Sequence, residues 1–482
     1  MRLIIEARLV DGDTVEEGDR VLAVVERPDR SLAELGLTLA EGRSLLAKVQ
    51  IELISKQVKQ WLSGQTHCQS CGAALRHKDS RSTVLRTVYG KVTVKSPRLW
   101  SCACQGTAQT PQRVVHPLSK ALPRRVTLEL EYLQAKWAAH LPYRLATAML
   151  KEVLPLDRGI SSSGIRDRIL DIGKQLDADF EGEIVQPPQS VADEQVRESS
   201  HVAAVSVDSA WLRNCDSGRD PGRHVNIVAG RATFTDGPPK LYAYVHREVT
   251  SAAARLDQFL GRNGVRSDER VTVISDDAGE FAKTVEGSQL ARGRILDWFH
   301  IAMKFQAAQR SVFGSKMIDS MERESVETEI THAKWLVWHG KGSKALKRIK
   351  ALDSRLLARE GYEFKTLWWN LNTVSSYLRN NARTLVNYSA RHRKGLPISS
   401  SIAESAVNQV VSYRMAKKRQ MRWTDEGAHC MAQVRVAVLN GEFSARRISA
   451  LKIVASGYGK RIGPVSAGGR RPTARMDRAT MP

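Results

Sequence analysis

The sequence predicts a multidomain α/β protein, and three observations carry that expectation. Its 482 residues suit about three domains at roughly 150 residues each. Two close cysteine pairs, Cys68 with Cys71 and Cys102 with Cys104, bracket a β-branched stretch. From residue 201 onward, β-branched runs replace the helical apolar period that fills the residues before them.

Residues 1–63 read as an N-terminal helical region. The first 30 hold short apolar runs with Asp/Gly turn signals. From Ser31 to Leu62, apolar residues recur at helical spacing through Leu45, Val49, Ile54, Val58 and Leu62. Residues 64–122 read as a zinc ribbon. Cys68-Gln-Ser-Cys71, followed by Gly72, has knuckle spacing; Cys102-Ala-Cys104 is tighter; Val84–Lys95 reads as a hairpin turning at Gly90. Four thiolates, Cys68, Cys71, Cys102 and Cys104, would close a tetrahedral Zn2+ site. His67 is a substitute ligand, and a set of silent buried thiols is the alternative. Cys215 and Cys430 stand alone and read as core or surface residues.

Residues 123–180 read as three helices in a helix-turn-helix-like DNA-binding domain. In the last, Ile165, Ile169, Ile172 and Leu176 form an apolar stripe that leaves Arg166, Arg168 and Lys174 off it. An ordinary helical hairpin with a solvated face is the plainer reading. Residues 181–200, acidic and containing Pro187-Pro188, read as a linker.

Residues 201–445 hold three strand-like runs (His201–Trp211, His224–Phe234, Leu241–Arg247), a helix (Thr250–Gly261) and a fourth strand (Arg270–Ser275). That order is expected of an RNase H-like sheet. Residues 301–398 read as a helical insertion containing Trp335, Trp338, Trp368 and Trp369, with core packing the expected role for Trp335 and Trp338. The basic tail, 446–482, reads as disordered.

Charge narrows the function. Lys and Arg number 74 against 51 Asp and Glu, a net +23, which calls for a polyanionic partner. Residues 378–482 carry 20 Lys or Arg against 5 acids, and so steep an asymmetry points to nucleic acid. No apolar run reaches the ~18–20 residues needed to span a bilayer. Met1-Arg-Leu-Ile-Ile-Glu6 lacks a signal-peptide pattern. The expected location is therefore a reducing cytoplasm, where cysteines serve as metal ligands or core residues.

Three acids stand in telling contexts. Asp208 follows Val202–Val207, Asp276 ends Arg270–Ser275, and Glu404 opens a helix at Ile402-Ala-Glu404-Ser. Singly, each has a bland reading: Asp276 as a turn residue, Glu404 as part of a capping box with Ser401. Together, carboxylates from two strands and a helix can hold paired divalent ions for in-line phosphoryl displacement. Asp277 competes with Asp276, because neighbouring strand-end residues point opposite ways. Arg414, Lys417, Lys418, Arg419, Arg422 and Trp423 follow Glu404 and are candidate DNA contacts, with a solvated charge run as the alternative.

Val273-Ile-Ser-Asp276, Ile295-Leu-Asp-Trp-Phe-His300-Ile-Ala-Met-Lys304, Ile402–Val411 and Lys417–Trp423 resemble bacterial insertion-sequence transposases. The nearest group is the ISKra-type one within the Mutator-like DDE set, and the resemblance runs from about residue 35 to 443. It implies an RNase H-like catalytic domain in which Asp208, Asp276 and Glu404 bind two Mg2+ (or Mn2+) ions. It further implies hydrolysis at the element end, transfer of the freed 3′-OH into target DNA, and at least a homodimer on double-stranded DNA. Asp297 and His300 match an Asp-x-x-His signature and become candidate supporting residues. One departure is Asp277, where the group usually has Gly. Two alternatives stay open: an inactive transposase-derived DNA-binding regulator, and a nuclease of the same fold that never joins ends.

Overall fold

The computed structural model describes residues 1–11, 14–27, 35–105, 113–122, 124–156, 159–182, 202–215, 223–235, 237–276, 279–315, 318–399, 406–415 and 421–458. It is a mixed α/β protein with three sheets among the described residues. The tail beyond Tyr458 and most of the 181–200 linker lie outside them.

The first sheet corrects the N-terminal expectation. β1 (Arg2–Asp11) and β2 (Thr14–Glu26) form an antiparallel pair where a helical region was expected. The signal was present: Asp11-Gly12 between two β-branched runs favours a tight hairpin. The helix Leu39–Ser63 then starts at a capping box between Thr38 and Glu41. Arg27 pairs with the same Glu41 at 2.7 Å, which ties hairpin to helix. Ile54, Val58 and Leu62 on the helix bury against Leu85, Val92 and Val94 of the second sheet.

That sheet is the ribbon: β3 (His77–Thr87), β4 (Gly90–Trp100) and β5 (Val114–Val115), all antiparallel. Thr87 pairs with Gly90 across a two-residue turn. Gly90 takes φ +107°, a conformation costly for any residue with a Cβ.

The third sheet contains β6 (Val202–Arg213), β7 (His224–Phe234), β8 (Lys240–Val245), β9 (Val271–Ser275) and β10 (Ala291–Leu296), in the order β10-β9-β6-β7-β8. The first three form an antiparallel meander, while β9 and β10 run parallel to β6. Helices Ala252–Arg262 and Gly279–Gly287 make the two crossovers. β10 is additional to the four expected strands; its only apolar pair, Ile295-Leu296, is too short to register as a run.

Each face of this sheet has its own cover. Leu256, Phe259 and Leu260 pack on Val205, Val207 and Val273. On the other side, Ile165, Ile169 and Ile172 share one core with Ala229, Val245 and Met431. The helices Leu128–His140, Tyr143–Val153 and Ser162–Gly182 are therefore a layer of the sheet domain, sharing its core. Their apolar stripe needs burial, and helix Asp425–Leu439 supplies it so closely that a Cβ on Gly173 would lie 2.5 Å from Cys430 Cα. The insertion builds a separate core around Phe305, Ile330, Ile349 and Leu371. Trp338 packs there against Trp298 and Tyr388, whereas Trp335 stays half exposed. Among the described residues, no helix is long and apolar enough to cross a membrane.

Candidate functional site

Strand register builds the site. β6 sets Val207 opposite Ser275 of β9, and β9 sets Ser275 opposite Leu296 of β10. The next residues, Asp208, Asp276 and Asp297, consequently share one row across three neighbouring parallel strands, Asp208 midway along β6 and the other two just past the carboxyl ends of β9 and β10. Open sheets place ligands at such an edge. Alternation puts all three on the side that carries Ala204, Ile274 and Ile295.

Their surroundings differ. Asp208 is half-buried, and its Oδ1 accepts the Ser209 N–H at 2.7 Å. The carbonyl of Asp276 accepts from Arg294 Nη1 at 2.5 Å, while Nη2 of that arginine reaches Asn381 Oδ1 at 3.3 Å. Arg294 thus fastens the strand end to the insertion. Asp297 is fully buried and caps the helix Trp298–Phe313, accepting the Phe299 N–H at 2.8 Å. Its own N–H donates to the Ser275 carbonyl at 3.0 Å. His300 Nε2 stands 3.6 Å from Asp297 Oδ2, too long for a hydrogen bond and close enough for attraction once the ring is protonated.

Glu404, Asp277, Lys417, Lys418 and Arg419 lie outside the described residues. The chain resumes at Ala406 and passes into a π-helical turn, Asn408–Ser412, a local widening that recurs at functional sites. Ala406, Val407, Val410 and Val411 sit in the same core as Leu212 and Ala229, on the Asp208 side of the sheet. Two buried arginines pin this segment. Arg435 Nε donates to Val410 O at 2.6 Å, and its other nitrogens reach the carbonyls of Gln409 and Ala139. Arg414 Nε donates to Ala138 O at 2.8 Å. Burial, with Arg414 nearby, draws Arg435 below the usual arginine range.

Several expected DNA contacts belong to this interior. Arg414 is fully buried against the rings of Tyr143 and Trp423, and Trp423 donates its indole N–H to Met415 O at 3.1 Å. Arg168 turns inward to Glu131 and Gln134. None of these three is presented to a ligand outside; each satisfies a core group instead. Arg166, paired with Asp167, and Lys174, paired with Glu426, remain on the surface, as does Arg422.

Arg435 was not singled out in the sequence, although a cation inside Met431-Ala-Gln-Val-Arg435-Val-Ala-Val is the available signal. A second overlooked network joins Asp177, His429 and Arg255. His429 Nε2 lies 2.9 Å from Asp177 Oδ1, its Nδ1 accepts from Val245 N at 3.2 Å, and Arg255 Nη2 meets Asp177 at 2.6 Å.

The cysteines form a second centre. Among the described residues, Cys68, Cys71, Cys102 and Cys104 are the set whose ligand atoms all lie within 4.8 Å of one another. Cys68 and Cys104 Sγ are 3.5 Å apart, and Cys71 and Cys102 Sγ 3.4 Å. Zn–S bonds of about 2.3 Å require S–S edges of about 3.8 Å, so a slight expansion admits a tetrahedral ion. Gly72, at φ +71°, lets the knuckle turn back so that its N–H meets Cys68 O at 2.9 Å. The N–H groups of Ser70 and Cys71 hold the Cys68 thiol down to about 6, while neighbouring sulfurs push Cys104 up. One thiolate is ready, and a metal would displace the remaining protons. This donor set fits structural zinc. His67 bonds Thr66 Oγ1 at 3.0 Å instead; Cys215 is exposed and Cys430 buried, both free of disulfides. No family model matches the chain, and no curated protein is similar enough to count as a match.

Proposed function

We propose that the chain is an insertion-sequence DNA transposase with an RNase H-like catalytic sheet, and that Asp208, Asp276 and Glu404 are its metal ligands. The observation that carries this reading is the shared row of Asp208 and Asp276 on adjacent parallel strands. Three antiparallel strands flanked by two parallel ones give the strand order such a catalytic sheet requires. Further support comes from Ala406 and Val407, which begin the core-packed segment just past Glu404 on the same side of the sheet.

Hard carboxylate oxygens are the donors that Mg2+ and Mn2+ prefer. Bound there, a pair of such ions would stabilise the attacking and leaving oxygens of an in-line displacement. The chain's own residues position the carboxylates. Arg294 holds the Asp276 backbone against the insertion, Asp297 fixes the adjacent strand end, and Arg435 with Arg414 anchors the segment after Glu404. The cationic excess of +23 would neutralise a DNA backbone across the surface. The cytoplasm is the compartment where such a substrate and reduced cysteines coexist.

A flanked element end, incubated with the protein, Mg2+ and plasmid target, tests the reading. Cleavage followed by joined product is expected from the wild type. Asp208→Ala should bind the duplex and cleave nothing. Cleavage without joining would replace the transposase with a nuclease, and binding without cleavage would replace it with a regulator.

A further inference from the structure

The β3–β4 hairpin has an outward face that the proposed chemistry does not use. Residues 76–100 hold seven Lys or Arg against one acid, Asp79, and Arg98 already pairs with that acid. Cross-strand register sets Ser82 beside Lys95, Val84 beside Thr93, and Arg86 beside Lys91. By alternation these six point away from the face that Leu85, Val92 and Val94 bury under the helix Leu39–Ser63. Arg86 tucks its buried Nε under the segment around Gly159, the other five are exposed, and none is acidic. At the zinc end, Arg76 and Lys78 lie 5.5 and 4.8 Å from the Trp100 ring centre, which fixes two further cations near the strand ends. The turn end is held as well, with Gly90 against Pro155 and Lys91 against Gly159.

We propose that this face enters the major groove of double-stranded DNA; the inference rests on the DNA-binding part of the function proposed above. A two-stranded ribbon has the width that a B-form major groove admits. Lys91 and Lys95 would meet phosphates or guanine edges. Val84 and Thr93, central on the face, offer methyl groups suited to thymine. Both ends of the hairpin are tethered, so little ordering entropy would be lost on docking. A-form RNA is the wrong occupant, because its major groove is too deep and narrow for a ribbon.

The test titrates a labelled element-end duplex with the full-length, zinc-loaded protein at several salt concentrations. A Lys91→Ala/Lys95→Ala variant is compared with Lys344→Ala/Lys347→Ala, an equal charge loss on an exposed helix of the insertion. Zinc content and thermal midpoint, unchanged in both, establish that the fold is intact. The ribbon variant should bind about tenfold more weakly or worse, with a log K against log salt slope shallower by about 1.8. The insertion variant should match wild type. A ribbon variant that binds like wild type would overturn the groove face and leave DNA binding standing. A wild type that binds no duplex would overturn both. Equal losses in the two variants, or equal wild-type affinity for double-stranded RNA, would likewise overturn the proposal.

Discussion

Asp276 and Asp277 are neighbours in sequence with opposite expectations. Asp276 follows Ser275, which is paired on both sides, so it continues the row begun by Asp208. Asp277 lies outside the described residues; side-chain alternation along a strand is the ground for expecting only one of the two carboxylates to serve the metals. Asp276→Ala should abolish metal-dependent cleavage, whereas Asp277→Ala should retain most of it; cleavage of a labelled duplex under matched protein and Mg2+ concentrations distinguishes them. Both replacements should leave duplex affinity within a fewfold of wild type. Equal losses would place the metal contact on both carboxylates and undo the row assignment. The same scale explains why Arg414 and Trp423 looked available in sequence. A basic run followed by an aromatic reads alike whether its members face solvent or core. Only the carbonyls of Ala138 and Met415, which the two side chains bond, distinguish the cases.

The helix Ser162–Gly182 connects two sets of contacts across the sheet domain. Its Asp177 carboxylate is a fifth exposed and faces His429 and Arg255, itself 3% exposed. Burial alone would raise Asp177; the His429 hydrogen bond and the Arg255 charge outweigh it and hold the carboxyl below its usual range. With the folded value below the unfolded one, its contribution is present above about pH 4 and disappears as pH falls through the folded value. Asp177→Asn should cost about 2–3 kcal/mol near neutrality, reduced from the figure for a fully buried pair because of that exposure. The cost should shrink on acidification, as read by thermal or urea unfolding at stepped pH. A cost that stayed constant to pH 2 would show that the carboxylate's charge is not the source. The ribbon allows a parallel check: a strong chelator should release zinc and expose the β3–β4 hairpin to protease, and Cys71→Ser should do so without chelator. Resistance of the metal-free ribbon would mean that its small core, Leu85, Val92 and Val94 with Ile54, Leu62 and Leu118, suffices by itself.

At the scale of the whole molecule, much of the architecture was legible because local signals sufficed. The β-branched runs became β6 to β9, and the three helices expected within residues 123–180 are Leu128–His140, Tyr143–Val153 and Ser162–Gly182. The cysteine spacing brought four sulfurs together. Less legible was what depends on distant partners. Ile165, Ile169 and Ile172 signalled a buried stripe, but their cover comes from Met431 and its neighbours, more than 250 residues later. An apolar stripe states that burial is needed without saying against what. Hence a region that read as a separate DNA-binding domain is a layer of the sheet domain, and Arg168 with it became a core residue. The row formed by Asp208 and Asp276 also needed the register of β6 and β9, which no local pattern encodes. The most direct test is the cleavage rate of a labelled element-end duplex in Mg2+, measured beside binding for wild type and Asp208→Ala/Asp276→Ala. At least about a thousandfold loss of cleavage is expected, roughly 4 kcal/mol of barrier, with affinity within a fewfold of wild type. A double variant that cleaved at the wild-type rate would contradict it.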